Sequence, residues 1–157
     1  MPPPEARFLA DAMLGKLAKW LRVMGFDTHY QPVYEDETIR QLVNEGRLLL
    51  SRHYPLIQMY PHSLLILSDK VPLQLEEIRA RGYLAGDIKK RWFTRCLLCN
   101  TPLQEASFDD ASKSIPDYIL HQNIKELHFC PSCKRYFWPG SHRWKMFNQL
   151  KKWGFVY

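Results

Sequence analysis

Two C-x-x-C pairs, Cys96-Leu-Leu-Cys99 and Cys130-Pro-Ser-Cys133, constrain this chain more than any other feature. Each pair puts two thiols on one side of a tight turn, and thirty residues separate the pairs. Two such turns facing one another make a tetrahedral four-sulfur site, which suits zinc. A site closed by four sulfurs has no open coordination position, so its metal holds structure and does no chemistry. Two other readings use the same residues. A thioredoxin-like redox pair needs one C-x-x-C and leaves the other unexplained. Paired disulfides belong to oxidising compartments. Zinc accounts for all four cysteines. The segment between the pairs is longer than a minimal ribbon needs and is expected to carry turns or strands of its own.

Upstream of the cysteines the pattern alternates strand and helix. A short apolar run, Phe8-Leu9-Ala10, stops at Asp11. Leu14, Leu17, Ala18, Leu21 and Met24 then recur at three- and four-residue spacing, which places them on one helix face. Lys16, Lys19 and Arg22 lie on another face, as phosphate contacts or simply a solvated surface. Gly25 ends the pattern. Asp27–Tyr30, Arg47–Ser51 and Leu64–Leu67 read as further short strands, with helices opened by Asp36, by Leu56 and by Pro72 between and after them. This order implies an α/β fold: a parallel sheet with helices on its faces. Asp11 then sits at the C-terminal tip of the first strand, the edge where open α/β sheets gather ligands.

The periodic pattern stops near Lys89-Lys90-Arg91, which divides the chain into residues 1–91 and a cysteine-bearing segment, 92–157. Ser141 is placed to cap a last helix carrying Trp144, Phe147 and Trp153. A stripe at this spacing usually docks a helix on a core. The formal net charge is +6, and from Lys134 onward there are six Lys or Arg and no acid. Such a balance favours a polyanionic partner. Lys134, Arg135, His142, Arg143 and Lys145 are candidate phosphate contacts, fixed in position by the turn at the fourth cysteine. Interleaved aromatic rings suit the stacking of unpaired bases. No apolar run approaches the roughly 18 residues of a membrane span. The N-terminal sequence MPPPEARF lacks a signal-peptide layout. The expectation is a cytoplasmic protein with no membrane partner.

Divalent-metal hydrolysis of a phosphodiester needs acids brought together from different strand ends. Asp11, with Asp36 or Glu37 at the second helix, is the leading set. Asp27 and Asp69 are weaker members. Asp36 alone can also be read as a helix cap, and Asp27 as a turn residue. Asp11 is harder to set aside, because an acid between an apolar strand and an apolar helix needs a metal, an arginine or a backbone N–H.

FLADAMLGKLAKWLRVMGFDT (8–28), GRLLLSR (46–52), RCLLCNTPL (95–103) and CPSCKRYFWPGSHRWKM (130–146) together resemble the PIN-like ribonuclease domain found at the C-terminus of the mutator-seven exonuclease. The resemblance implies a PIN-like parallel sheet with flanking helices, then a small zinc ribbon and a C-terminal helix. It implies RNA cleavage with catalytic Mg2+ or Mn2+ beside structural Zn2+. Asp11 matches the family's first metal-binding aspartate, and Asp36 lies where an acid opens the second helix. The four cysteines match the ribbon ligands. Where the family pattern looks like Thr-Arg-Asp, this chain has Ser51-Arg52-His53. A neutral imidazole ligates Mn2+ but is a poor ligand for Mg2+. The expected catalytic set is therefore Asp11, Asp36, Glu37 and His53, with Lys16 and Arg52 among the substrate contacts. The expected activity is a ribonuclease weakened at His53, acting on single-stranded or structured RNA. The alternative is a non-catalytic module that binds RNA or docks a protein through the ribbon. The oligomeric state is open.

Overall fold

A computed structural model describes residues 5–84, 88–123 and 126–155. The chain forms two compact units, Met1–Asn100 and Thr101–Tyr157. In the first, β1 (Phe8–Ala10), β2 (Thr28–Tyr30), β3 (Leu48–Ser51) and β4 (Ser63–Leu65) pair in parallel in the order β2-β1-β3-β4. They alternate with α1 (Gly15–Val23), α2 (Asp36–Asn44), α3 (Tyr54–Gln58) and α4 (Val71–Ala80). This is the expected α/β layout. In register, Ala10 lies level with Tyr30 on one side and Leu50 on the other. The segments that leave β1, β2 and β3 therefore start from one edge.

Every residue of β1 and β3 is buried. Strands covered on both faces need such unbroken apolar runs. Leu9 and Leu49 pack on one face with Ile39 and Leu42 of α2. Leu14, Leu17, Ala18, Leu21 and Met24 are all buried, as their spacing requires. The leucines and the methionine each contribute about 2 kcal/mol of gross transfer energy, before the entropy of ordering them. Phe8 meets Phe26 edge-to-face, with ring centroids 5.7 Å apart.

Several local details differ from the sequence reading, each for a physical reason. A 3-10 turn, Ala12–Leu14, precedes α1, with Asp11 as its cap. α3 begins before Leu56, at Tyr54, because Pro55 fits a first helical turn, where its missing N–H costs nothing. β4 ends at Leu65, because the Leu67 N–H turns away to the Glu77 carboxylate (2.8 Å) and leaves Leu67 74% exposed. Asp36 is the first residue of α2 and not its cap. That position is Glu35, whose side chain makes no capping bond. Arg22 is not on a solvated face. It is buried, with Nε donating to the Thr28 carbonyl (3.0 Å) and Nη1 to the Leu97 carbonyl (3.1 Å).

In the second unit, β5 (Gln104–Glu105), β6 (His128–Cys130) and β7 (Arg135–Phe137) form an antiparallel sheet in that order. Between β5 and β6 run α5 (Phe108–Ala111) and α6 (Asp117–Gln122). Ala111, Ile115, Leu120 and Leu127 bury one another there, against Tyr136 and Trp138. α7 (Ser141–Lys152) follows, with Gly140 rather than Ser141 in the cap position. Met146 and Leu150 are its buried face. Trp144 does not dock. It is 63% exposed and stacked nearly parallel on Phe147, at 5.7 Å.

Packing divides the units later than composition does. Residues 93–100 are bonded to the α1–β2 corner: Phe93 N–H donates to the Val23 carbonyl (2.8 Å) and Arg95 Nε to the Gly25 carbonyl (3.2 Å). The first C-x-x-C therefore folds with the parallel sheet.

Candidate active site and metal centre

Asp11 leaves β1 at the C-terminal edge. Its own N–H extends the ladder to the Leu50 carbonyl (3.0 Å), which fixes its backbone against β3. Its Oδ1 accepts from the Ala12 N–H (2.7 Å), and its Oδ2 accepts from the Ser51 hydroxyl (2.7 Å). A carboxylate has about four acceptor sites, so each oxygen keeps one for a cation. From β2, Tyr30 donates its hydroxyl to the Ala12 carbonyl (2.9 Å) and closes over the start of α1. A Cβ on Gly15 would stand 2.8 Å from the Tyr30 oxygen, so a larger residue there requires the Tyr30 hydroxyl to shift.

Ser51 is fully buried at the end of β3. Besides donating to Asp11, its oxygen accepts from the His53 backbone N–H (3.0 Å). One hydroxyl thus ties Asp11 to the turn that carries His53. His53 is the cap position of α3, and its ring is exposed and makes no capping bond. Arg52, also exposed, reaches the Leu67 carbonyl (3.4 Å). On the β2 side of this edge, Tyr34 precedes α2 and meets the His29 ring (2.9 Å). Burial pushes the Tyr34 hydroxyl up to about 12, and nearby Asp11 adds to the shift. Burial lowers His29, helped by the charges of Arg47 and Arg22, so its ring favours the neutral form. Asp36 and Glu37 are exposed at the start of α2, and Glu37 pairs with Arg40 (3.1 Å) on the surface. Among the described residues, these acids and His53 do not form a group of three ligands within 4.8 Å of one another. Asp27 belongs to the opposite edge. It receives Arg47 Nη1 (2.8 Å) and Asn100 Nδ2 at its Oδ1. Burial alone raises its pKa, but these two hydrogen bonds and the charge of Arg47 outweigh burial and hold it below the ordinary carboxylate value.

The sulfurs of Cys96, Cys99, Cys130 and Cys133 do form such a group, all within 4.8 Å of one another. Tetrahedral zinc with bonds of about 2.3 Å separates its sulfurs by roughly 3.8 Å, so the donor set fits. The two pairs share one backbone design. The Asn100 N–H donates to the Cys96 carbonyl (2.9 Å), and the Lys134 N–H donates to the Cys130 carbonyl (2.9 Å). The closing residue is left-handed in both, with φ 72° at Asn100 and 59° at Lys134. The Cys133 N–H donates to the Cys130 sulfur (3.3 Å), a bond that favours a thiolate. The second pair is the turn of the β6–β7 hairpin, where Cys130 lies opposite Arg135.

This combination of an anchored strand-tip aspartate and a four-cysteine cluster coincides with a family assignment. The model of the Mut7-C RNAse domain matches residues 6–150. The chain belongs to that family. No curated protein and no solved structure matches it. Among the described residues, no helix of this Mut7-C chain is long and apolar enough to cross a membrane.

The remaining expected contacts of the Mut7-C chain lie on solvated surfaces. Lys16 is exposed on α1, Lys134 and Arg135 at the hairpin, and His142 and Lys145 on α7, where Arg143 is half-buried. Lys134 also has its ammonium 5.9 Å from the centre of the Phe129 ring. Sequence reasoning gave no role to Ser51, Tyr30 or Asn100. For Ser51 a signal existed, since a hydroxyl residue stands at the same place in the Thr-Arg-Asp pattern.

Proposed function

We propose that the chain is a divalent-metal-dependent ribonuclease whose working edge is the C-terminal end of the parallel sheet. The observation that carries this reading is the anchoring of Asp11, held at both oxygens yet keeping free acceptor sites. Mg2+ keeps several waters and takes one or two carboxylates with substrate phosphate. Asp11 with one further acid meets that need without a three-ligand cage. A bound Mg2+ or Mn2+ supplies an activated water and neutralises charge developing on the phosphate. Asp11 is the principal ligand, Asp36 or Glu37 the second acid, and His53 a nitrogen ligand that favours Mn2+. Ser51 holds Asp11 in orientation. Lys16, Arg52, Lys134, Arg135, His142, Arg143 and Lys145 contact RNA phosphates, and Zn2+ on the four cysteines is structural. An Asp11→Asn protein assayed on single-stranded RNA with Mn2+ tests the assignment. Cleavage should fall at least about a hundredfold, the scale of losing a metal-site electrostatic group. Unchanged cleavage removes Asp11 from the reaction.

The exposed imidazole at His53 favours a second reading, an RNA-binding or protein-docking module that has lost catalysis. It calls for RNA binding in EDTA and no turnover with any divalent ion. A large gain of cleavage in His53→Asp identifies this position as the impaired step.

A further inference from the structure

At the N-terminal ends of β1 and β3, away from Asp11, the first unit holds a cleft of about 600 Å3. Arg7, Arg81, Arg91 and Glu5 line it, with Phe26 and Tyr83 among its apolar walls. Its size suits a small ligand. The lining carries three arginines and one glutamate, a balance of +2 before His62, also in the lining, is considered. Two of the arginines are held in place. Arg91 lies 5.7 Å from the centre of the buried Phe26 ring and pairs with Glu5 (2.8 Å). Arg7 donates to the Glu45 carbonyl. Arg81 is exposed and has no acidic partner among the described residues.

We propose that this cleft binds the phosphate of a nucleotide. The Glu5 carboxylate occupies Arg91 in its absence and marks where an anionic oxygen sits. Guanidinium forks match phosphate geometry, and a phosphate monoester brings about −1.5 to −2 charges, enough to displace a single carboxylate. Tyr83 and the remaining volume accommodate a base and sugar. The site uses no residue of the Asp11 edge and needs no divalent ion, so it stands apart from the nuclease reading.

Calorimetric titration of the full chain without added divalent ions tests this. The probes are uridine 5′-monophosphate and a 5′-phosphorylated hexauridylate. Saturable binding is expected, weakened about tenfold by Arg81→Ala and by Arg91→Gln, the loss expected for one charge-assisted hydrogen bond. Glu5→Gln should tighten binding, because it removes the competing anion. Arg81-dependent binding of the mononucleotide identifies a free nucleotide as the ligand. Arg81-dependent binding of the hexamer alone identifies a phosphate of an RNA chain. Both support the site. Absence of saturable binding by either probe, equal affinity of Arg81→Ala and the unaltered chain, or weaker binding by Glu5→Gln overturns it. Arg81 is exposed and makes no ion pair among the described residues, so its replacement should leave the fold intact even if Arg91→Gln does not fold. Arg81-dependent binding of the mononucleotide should persist in Asp11→Asn whatever that variant does to cleavage, which separates this test from that of the cleavage reaction.

Discussion

A buried hydroxyl governs the candidate site at the level of single residues. Ser51 joins the Asp11 carboxylate to the His53 N–H. In Ser51→Ala the N–H loses its acceptor and Oδ2 loses its donor. A stability loss of about 1–2 kcal/mol is expected by denaturant titration, with Mn2+-dependent cleavage falling in parallel. Ser51→Thr keeps the hydroxyl and should restore both. Asp27 gives a pH signature. Its pKa in the folded chain lies below the ordinary value. The unfolded chain therefore binds the proton first as pH falls. The stabilisation is complete above the unfolded carboxylate value of about 4 and disappears below it, through the lower folded value. Melting temperature should drop steeply below about pH 4 in the unaltered chain and more shallowly in Asp27→Asn.

Periodicity reveals which secondary-structure elements form, but not where they end. The buried stripe of α1 and the apolar runs of β1 and β3 are one-dimensional patterns, so they show directly in sequence. The end of β4 depends on Glu77, which reaches from α4 to take the Leu67 N–H, a tertiary event with no local signal. The burial of Arg22 likewise depends on the Leu97 carbonyl far along the chain. The two cysteine turns were legible as C-x-x-C, but their left-handed closing residues were not, since neither is glycine. Those two positions should respond differently to the same change. Lys134→Gly relieves a left-handed side chain but adds freedom to the unfolded chain and loses the Phe129 contact, so its effect should be near zero. Asn100→Gly has the same backbone benefit, yet loses the bonds to Thr28 N–H (2.9 Å) and Asp27. It should cost about 2 kcal/mol, read from paired denaturant melts.

For the molecule as a whole, four cysteines set a metal requirement. Purified protein should carry one zinc per chain by elemental analysis, given the four-sulfur group. Chelation should abolish amide protection in β5–β7 while β1–β4 keep theirs, because the parallel sheet has its own apolar core. The parallel architecture and the cysteine cluster were legible from spacing and composition. The pairing of Asp11 with Ser51 was not, because it rests on strand order, which periodicity does not encode. Three hydrogen bonds have a practical consequence for anyone cutting this chain. A fragment ending at residue 91, where the periodic pattern stops, strips the Thr28 amide and the Asp27 carboxylate of Asn100. It also leaves the buried Arg22 without its Leu97 acceptor. Expressed alone, that piece should be poorly soluble and quickly proteolysed, whereas one extended through Asn100 keeps its own corner stitched.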